Sequence, residues 1–214
     1  GNVVNLGGQI SDDAGNPTIN TPEMKTVVEA LKSIADKGLM TPYGEDGYAI
    51  FQAGNVLFST DGTWTVTAHS SVEGLNFGMT NIYSVTPDKF TNRSSSHMFA
   101  LLNNEERSDE KEAGIADFLD WMRENSLEWA EAGQIVASRD VFESPEYEKY
   151  PQSFFTSSEE EKEASYTFEY KYYSYVEQAL GTVLNDMIHG NIEVDEGLQQ
   201  AQKQVEDLIK ENAS

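Results

Sequence analysis

The chain has 214 residues, of which 38% are hydrophobic and 11% aromatic, enough to bury a core in one domain or two small ones. Its 14 basic and 37 acidic residues give a formal net charge of −23, which argues against nucleic acid and anionic membrane surfaces as partners. Cysteine is absent, which excludes disulfides and thiolate metal sites. No apolar run is long enough to predict a transmembrane helix.

The N-terminal region predicts a loop followed by a long helix. The chain opens with Gly1 and lacks the basic and apolar regions of a signal peptide, so we expect a fragment or processed product of a longer protein. Thr21, Pro22 and Glu23 supply a capping hydroxyl, a proline at the first helical position and an acid in the first turn. A helix is therefore predicted from Pro22 to about Gly38, and a short helix over 48–53.

The stretch from Phe51 to Trp64 contains the most informative residues. Val56, Leu57 and Phe58 have the β-branched and aromatic character of a short buried strand, and Gly62 permits a sharp turn after it. Trp64 is then expected just past the end of this strand, where ligands bind in open α/β sheets.

Asp61 and Trp64 together suit sugar recognition. An indole face can cover the C–H face of a pyranose, and a carboxylate accepts hydrogen bonds from hydroxyls. A tryptophan in this position also serves as a core residue, so both interpretations stay open.

The rest of the chain alternates further predicted strands and helices. Strands are expected at 75–79 and 98–102, an extended piece at 134–139, and helix starts at Ser108 and Ser144. Helices are also predicted around 127–132, over 176–188 and from about 195. The order predicts a helix-rich α/β fold.

Five of the ten tyrosines lie within ten residues. They are Tyr166, Tyr170, Tyr172, Tyr173 and Tyr175. Tyrosines at helical spacing are commonly half-buried structural residues, but a cluster of this size favours one or two that line a ligand surface. His97, which follows three serines, is either a loop histidine or a ligand contact.

Several catalytic signatures are absent. The sequence contains no GxxxxGK, GxGxxG or GxSxG motif and no HExxH arrangement, so neither a cofactor nor a metal is expected. Two alternatives to sugar binding stay open. Asp61 and a second acid would serve a glycoside hydrolase if they faced each other across a cleft. The acidic surface would also suit a protein interaction module that takes no small ligand.

Several stretches carry a family resemblance in the same order along the chain. They are 51–64, Leu75 to Gly78, Ser96 to Phe99 with Glu112 to Met122, Asn125 to Ile135, and Gly190 to Leu198. Together they resemble the bacterial extracellular sugar-binding proteins of ABC importers, the group that includes maltose-binding protein. Val136 stands where that family commonly has proline, and Leu57 and Phe58 replace its usual Ala-Met pair.

The resemblance implies a fragment of a type II periplasmic-binding-protein fold, α/β and helix-rich. Family members are about twice this length, so the chain is similar to the C-terminal half only and supplies mainly the C-terminal lobe. We expect residues 1–83 and 126–214 to form parts of this lobe, and 84–125 to cross into the missing N-terminal lobe. The exposed lobe face is expected to promote self-association.

The resemblance also implies a function. The chain would belong to a solute-binding receptor, not an enzyme, that captures a carbohydrate outside the cell and presents it to the permease subunits of an ABC transporter. Trp64 would stack on the sugar and Asp61 would bind its hydroxyls, with His97 as a further contact. Tyr172, Tyr173 and Tyr175 would form a second aromatic wall. The full-length protein would be lipid-anchored at the cell membrane, or periplasmic in a double-membrane bacterium.

Overall fold

The computed structural model describes residues 1–87 and 89–212, which divide into two compact units. The first unit comprises 1–47, 82–93 and 166–214, and the second unit comprises 48–81 and 94–165. The predicted lobe boundaries near 83 and 125 concern the arrangement in a longer protein, and they stay a prediction.

Helices dominate the described part of the chain. In chain order they are α1 (Asn2–Asn5), α2 (Pro22–Asp36), α3 (Gly47–Gln52), α4 (Val66–Ser70), α5 (Asp109–Glu124), α6 (Leu127–Glu131), α7 (Arg139–Phe142), α8 (Glu159–Glu163), α9 (Tyr173–Ile188) and α10 (Val194–Asn212). Short 3-10 helices span Thr63–Thr65, Tyr147–Lys149 and Pro151–Thr156. The strands β1 (Asn92–Arg93) and β2 (Ser165–Tyr166) pair in a two-stranded sheet.

The first unit is built on α2, α9 and α10. Thr21 caps α2 as predicted, since its side chain accepts a hydrogen bond from the Met24 amide at 3.2 Å. The buried apolar side chains of the three helices pack into one core with others from the first 20 residues. The core consists of Val3, Ile10, Ile19, Met24, Val28, Val176, Ala179, Val183, Met187, Val194, Leu198, Ala201 and Val205.

A side chain of α10 fixes the N-terminal loop of the first unit. The Gln202 carbonyl oxygen accepts a hydrogen bond from the Ile19 amide at 2.7 Å, and its amide nitrogen donates to the Pro17 carbonyl at 2.8 Å. Because these are backbone groups of an irregular segment, one glutamine replaces the partners that a helix or sheet would supply.

The second unit has a smaller core. Its core cluster consists of the buried residues Ala130, Val136 and Tyr147, with Leu127, Val141, Phe142 and Tyr150 packed against them. Gln152 is also buried, and its amide nitrogen donates to the Ala130 carbonyl at 2.6 Å. The same carbonyl also accepts from the Gly133 amide at 2.9 Å, so Gln152 adds a second bond at the end of α6.

The helix predictions are largely confirmed, whereas the strand predictions are wrong. The Ser108 side chain caps α5, and α6, α9 and α10 lie where they were expected. In contrast, residues 56–58, 75–79 and 98–102 form no strand, and Leu57 and Phe58 are 89% and 85% exposed. Ser144 begins a turn and then a 3-10 helix, without the predicted α-helix. A helix satisfies its own backbone, but a strand needs a neighbouring strand, and these segments have none.

Candidate functional site

Trp64 lies in a tight turn that leads into α4, and its indole is 64% exposed. The turn is closed at Thr65, whose amide and hydroxyl both donate to the Gly62 carbonyl, at 3.1 and 2.8 Å. The six-membered ring of Trp64 folds back over Gly62, where any Cβ would overlap it. Because Gly62 has no side chain, the indole can lie directly over it.

The end of α6 supports this turn. Gly133 has a φ of +85° and lies so close to the Thr63 carbonyl that a Cβ would overlap that oxygen. The Thr67 hydroxyl donates to the Glu131 carbonyl at 3.2 Å. The turn that carries Trp64 is thus packed against the end of α6, while Trp64 itself stays exposed.

Asp61 stands just before this turn with one carboxylate oxygen engaged and one open. The Ser59 hydroxyl donates to Oδ2 at 3.2 Å, and Nε2 of His69 lies 3.7 Å from the same oxygen. Oδ1 makes no hydrogen bond to any part of the chain that the structure describes, and 26% of the side-chain surface is exposed. The carboxylate can therefore accept a hydrogen bond from a hydroxyl group in solution.

His69 is the residue of this site that the sequence did not reveal. It is only 3% exposed, and three aromatic rings surround its imidazole. The ring centroids lie 4.9 Å from Tyr48, 5.0 Å from Phe51 and 5.4 Å from Phe77. The one available signal was the spacing to Val66, which places both side chains on the same face of α4, and both are buried.

His97 belongs to the second unit and is exposed. Its ring lies edge-on to the indole of Trp129, with centroids 5.8 Å apart and an angle of 88° between the planes. Trp129 is part of α6, the helix whose end supports the Trp64 turn. The described contacts therefore join His97 to Trp129, a residue that was not predicted for the site.

Tyr172 and Tyr175 lie together at the start of α9 in the first unit. Their rings stack with centroids 5.7 Å apart and planes 17° apart. The ammonium group of Lys171 lies 4.9 Å from the centre of the Tyr172 ring, within range of a cation–π interaction. The pair forms a half-buried aromatic surface with a positive charge beside it.

Tyr173 already has structural partners. Its ring stacks on Phe168 with centroids 5.1 Å apart, and its hydroxyl accepts a hydrogen bond from Nε of Arg93 at 2.8 Å. Burial raises the pKa of the Tyr173 hydroxyl. Among the described residues, Tyr173 and Tyr175 pack against the core of the first unit, whereas Tyr172 does not. The interpretation of the tyrosines as half-buried structural residues therefore applies to at least these two.

The six predicted site residues divide between the two units. Asp61, Trp64 and His97 lie in the second unit, and the tyrosines 172, 173 and 175 lie in the first. In the second unit Asp61 lies next to the Trp64 turn, and in the first unit Tyr172 lies next to Tyr175. Their participation in one ligand site stays a prediction.

Residues 1–87 and 89–212 hold neither a metal-binding cluster nor a membrane-spanning helix. No three histidine, aspartate or glutamate side chains lie close enough together to hold a metal ion. No helix in these ranges has the length and apolar character needed to cross a membrane.

Comparison with protein families defines the class of the protein. The model of a family described as bacterial extracellular solute-binding protein matches residues 3–156. This match covers well over half of the chain, so the chain belongs to that family. A comparison with the curated proteins finds no match.

Two solved structures of sugar-binding proteins have the same fold. One is the cyclic α-maltosyl-1,6-maltose binding protein of Arthrobacter globiformis, with a TM-score of 0.71, 19% identity and coverage of 99% of this chain and 55% of that one. The other is the maltose/maltodextrin-binding domain of Bdellovibrio bacteriovorus bound to maltotriose. Its TM-score is 0.75 at 16% identity, with 98% of this chain and 56% of that one covered. The predicted periplasmic-binding-protein fold is confirmed, and the chain spans about half the length of these structures.

Proposed function

We propose that the full-length protein captures a carbohydrate outside the cell and delivers it to an ABC importer. Membership of an extracellular solute-binding family supports the capture step. The fold supports the choice of ligand, because one structure with this fold is a maltodextrin-binding domain bound to maltotriose. The permease subunits of the importer are the proposed protein partners.

The exposed indole of Trp64 carries the proposal. Trp121 and Trp129 are also about half exposed, so exposure alone does not single out Trp64. The supporting observation is that the exposed indole lies three residues after Asp61, a carboxylate with one oxygen that has no described hydrogen bond. A pyranose offers both an apolar C–H face for the indole and hydroxyls for Oδ1 of Asp61. Trp64 is therefore the proposed stacking platform and Asp61 the proposed hydroxyl acceptor.

The remaining predicted residues have secondary roles in this proposal. Tyr172 and Tyr175 present a stacked aromatic pair suited to a second sugar ring, and Tyr173 fixes the start of α9 through Arg93. His97 contributes an exposed ring held edge-on by Trp129. Since the chain spans about half the length of the matched structures, we expect the chain alone to bind sugar more weakly than the full-length protein.

The experiment is a sugar titration of the full-length protein by calorimetry. The panel contains maltotriose, xylotriose and raffinose, and the tightest binder serves as the probe. Trp64→Ala should weaken binding by about 1–3 kcal/mol, the range of an aromatic anchor. Trp121→Ala is the matched control, because Trp121 is also about half exposed but lies on α5. The Trp121→Ala variant should bind the sugar as tightly as the wild type. Equal affinities for all three proteins would remove Trp64 from the site.

We further propose that the site binds sugar without turnover. Incubation with aryl glycosides and the same oligosaccharides should release no product. Turnover that Asp61→Asn abolishes would favour the glycoside hydrolase instead. If no sugar raises the melting temperature while a protein partner binds, the chain would be an acidic interaction module.

The proposed location follows from the proposed transport role. A receptor for an importer must remain at the outer face of the membrane, either as a lipoprotein or in a periplasm. Membrane fractionation of the source cells, followed by detection of an acylated N-terminus, distinguishes these two locations.

A further inference from the structure

We propose that His69 is a positioning residue for sugar binding, which holds the Asp61 carboxylate so that Oδ1 faces the ligand. The inference deepens the proposed function and rests on it, because Asp61 must bind sugar for its orientation to matter. His69 itself is only 3% exposed, so it is proposed to act through Asp61 and not as a direct sugar contact.

The two oxygens of the Asp61 carboxylate have different surroundings. Nε2 of His69 lies 3.7 Å from Oδ2 of Asp61, and the Ser59 hydroxyl donates to the same oxygen at 3.2 Å. A separation of 3.7 Å is longer than a hydrogen bond, but an N–H group at this distance still attracts a carboxylate, and the His69 side of the contact is shielded from water. Oδ2 is thus drawn towards the protein, and Oδ1 is directed outward.

The surroundings of His69 determine which nitrogen carries the proton. Nδ1 is buried and has no hydrogen-bond partner in the described part of the chain. Nδ1 lacks a partner in either tautomer, so the position of Nε2 decides between them: with the proton on Nδ1, the Nε2 lone pair would face the Oδ2 lone pairs of Asp61. The neutral tautomer with the proton on Nε2 places the only N–H of the ring towards Asp61.

The aromatic rings around His69 fix its orientation. Tyr48 lies against the imidazole at an angle of 32°, while Phe51 and Phe77 meet it edge-on. Contacts on three sides leave the ring little freedom to rotate, so the direction of Nε2 is set before any ligand arrives. A preorganised acceptor binds a hydroxyl without a further loss of side-chain entropy.

The unsatisfied Nδ1 also indicates a role beyond packing. A buried polar atom without a partner is rare in folded proteins, and an apolar side chain of similar size would fill this aromatic pocket without that cost. The imidazole brings one thing to this position that such a side chain lacks, which is the Nε2 group facing Asp61.

The test compares two substitutions in the full-length protein. His69→Gln keeps a nitrogen donor near the position of Nε2, whereas His69→Met fills the pocket without a donor. With the tightest binder among maltotriose, xylotriose and raffinose as the probe, His69→Met should weaken binding about tenfold and His69→Gln by no more than about twofold. Melting temperatures of both variants show whether the fold is retained.

A double substitution separates positioning from general damage. In an Asp61→Asn background the oriented carboxylate is gone, so adding His69→Met should cause little further loss of affinity. A loss of the same size in both backgrounds would overturn the inference. So would wild-type affinity in His69→Met, or equal losses in the Met and Gln variants.

Nitrogen NMR of the wild-type imidazole provides a measurement that needs no substitution. The ¹⁵N shifts should identify the Nε2–H tautomer and should change when the probe sugar is added. A proton on Nδ1, or shifts that stay constant on saturation, would overturn the inference even if Trp64→Ala weakens binding as proposed. If the wild type binds none of the three sugars, the proposed function fails, and the role of His69 fails with it.

Discussion

The first unit closes a hydrophobic core around three long helices, whereas the second unit leaves many of its large apolar side chains in solvent. Leu198 on α10 is fully buried, while Leu102 in the second unit is 80% exposed. The exposed large apolar side chains of the second unit are Leu57, Phe58, Trp64, Met98, Phe99, Leu101, Leu102, Phe118, Leu119, Trp121, Trp129 and Ile135. Two units of one chain thus differ in how completely they bury apolar surface.

The helix α5 makes this difference concrete. Its sequence predicts an apolar face that includes Phe118 and Leu119, yet the helix buries none of its residues. On α9 and α10 the same kind of periodicity produces buried side chains. An amphipathic pattern therefore predicts the helix itself, but whether its apolar face is covered depends on what is packed against it.

The largest expected effect tests the difference in core burial directly. In the 214-residue chain, Leu198→Ala should lower the free energy of unfolding by about 2.7–5 kcal/mol, because it leaves a cavity between helices. Leu102→Ala removes the same atoms from an exposed position and should change stability by no more than about 0.5 kcal/mol. Urea denaturation followed by circular dichroism measures both. Similar losses for the two variants would contradict the assignment of the core to the first unit.

The next largest expected effect is on self-association through the exposed apolar residues of the second unit. We expect the chain to self-associate through them, and Leu101→Gln combined with Leu102→Gln should raise the dissociation constant at least about tenfold. The control is Leu39→Gln, since Leu39 is similarly exposed but belongs to the first unit. Sedimentation equilibrium measures the constants.

Salt provides a second measure of the same association. The net charge of −23 opposes contact between copies, so added sodium chloride should strengthen association by screening that repulsion. A monomer at all concentrations, or an equal effect of the Leu39 control, would show that these residues do not drive association.

The smallest expected change in stability concerns a hydrogen bond on the surface of the first unit. The Tyr43 hydroxyl donates to the Asp186 carboxylate at 2.7 Å, and this bond, with a weaker contribution from Asn191, holds the pKa of Asp186 below its usual range. A depressed carboxyl pKa contributes stability above the unfolded pKa, and this contribution is lost as the pH falls through the folded value. Tyr43→Phe should therefore lower the melting temperature slightly at pH 7 and not at acidic pH.

A second tyrosine serves as the control for this pH dependence. Tyr83 is also about half exposed, so Tyr83→Phe removes a hydroxyl from a comparable surface position. Its effect on the melting temperature should not vary with pH. A difference between wild type and Tyr43→Phe that persists unchanged to low pH would show that the bond to Asp186 is not its cause.

The sequence predicted correctly those features that depend on residues close together along the chain, and failed for those that depend on distant residues. Thr21 and Ser108 cap their helices because capping depends on residues three positions apart. The strands failed because pairing depends on distant segments that a local pattern does not specify. Val56 and its neighbours were apolar enough for a strand, but no described segment lies beside them to complete a ladder.

The same distinction applies to the candidate site. Asp61 and Trp64 are three residues apart, so their proximity could be predicted from the sequence. The burial of His69 depends on rings from 8 to 21 positions away, and the bond between Arg93 and Tyr173 joins residues 80 positions apart. A lone histidine and a lone arginine offer no pattern from which such contacts follow.

The most direct test of the sugar-binding account is a crystal structure of the full-length protein with its tightest-binding sugar. We predict a pyranose ring lying parallel to the indole of Trp64 at about 4 Å, with a hydroxyl donating to Oδ1 of Asp61. A sugar bound elsewhere, with the Trp64 indole still in solvent, would contradict the account.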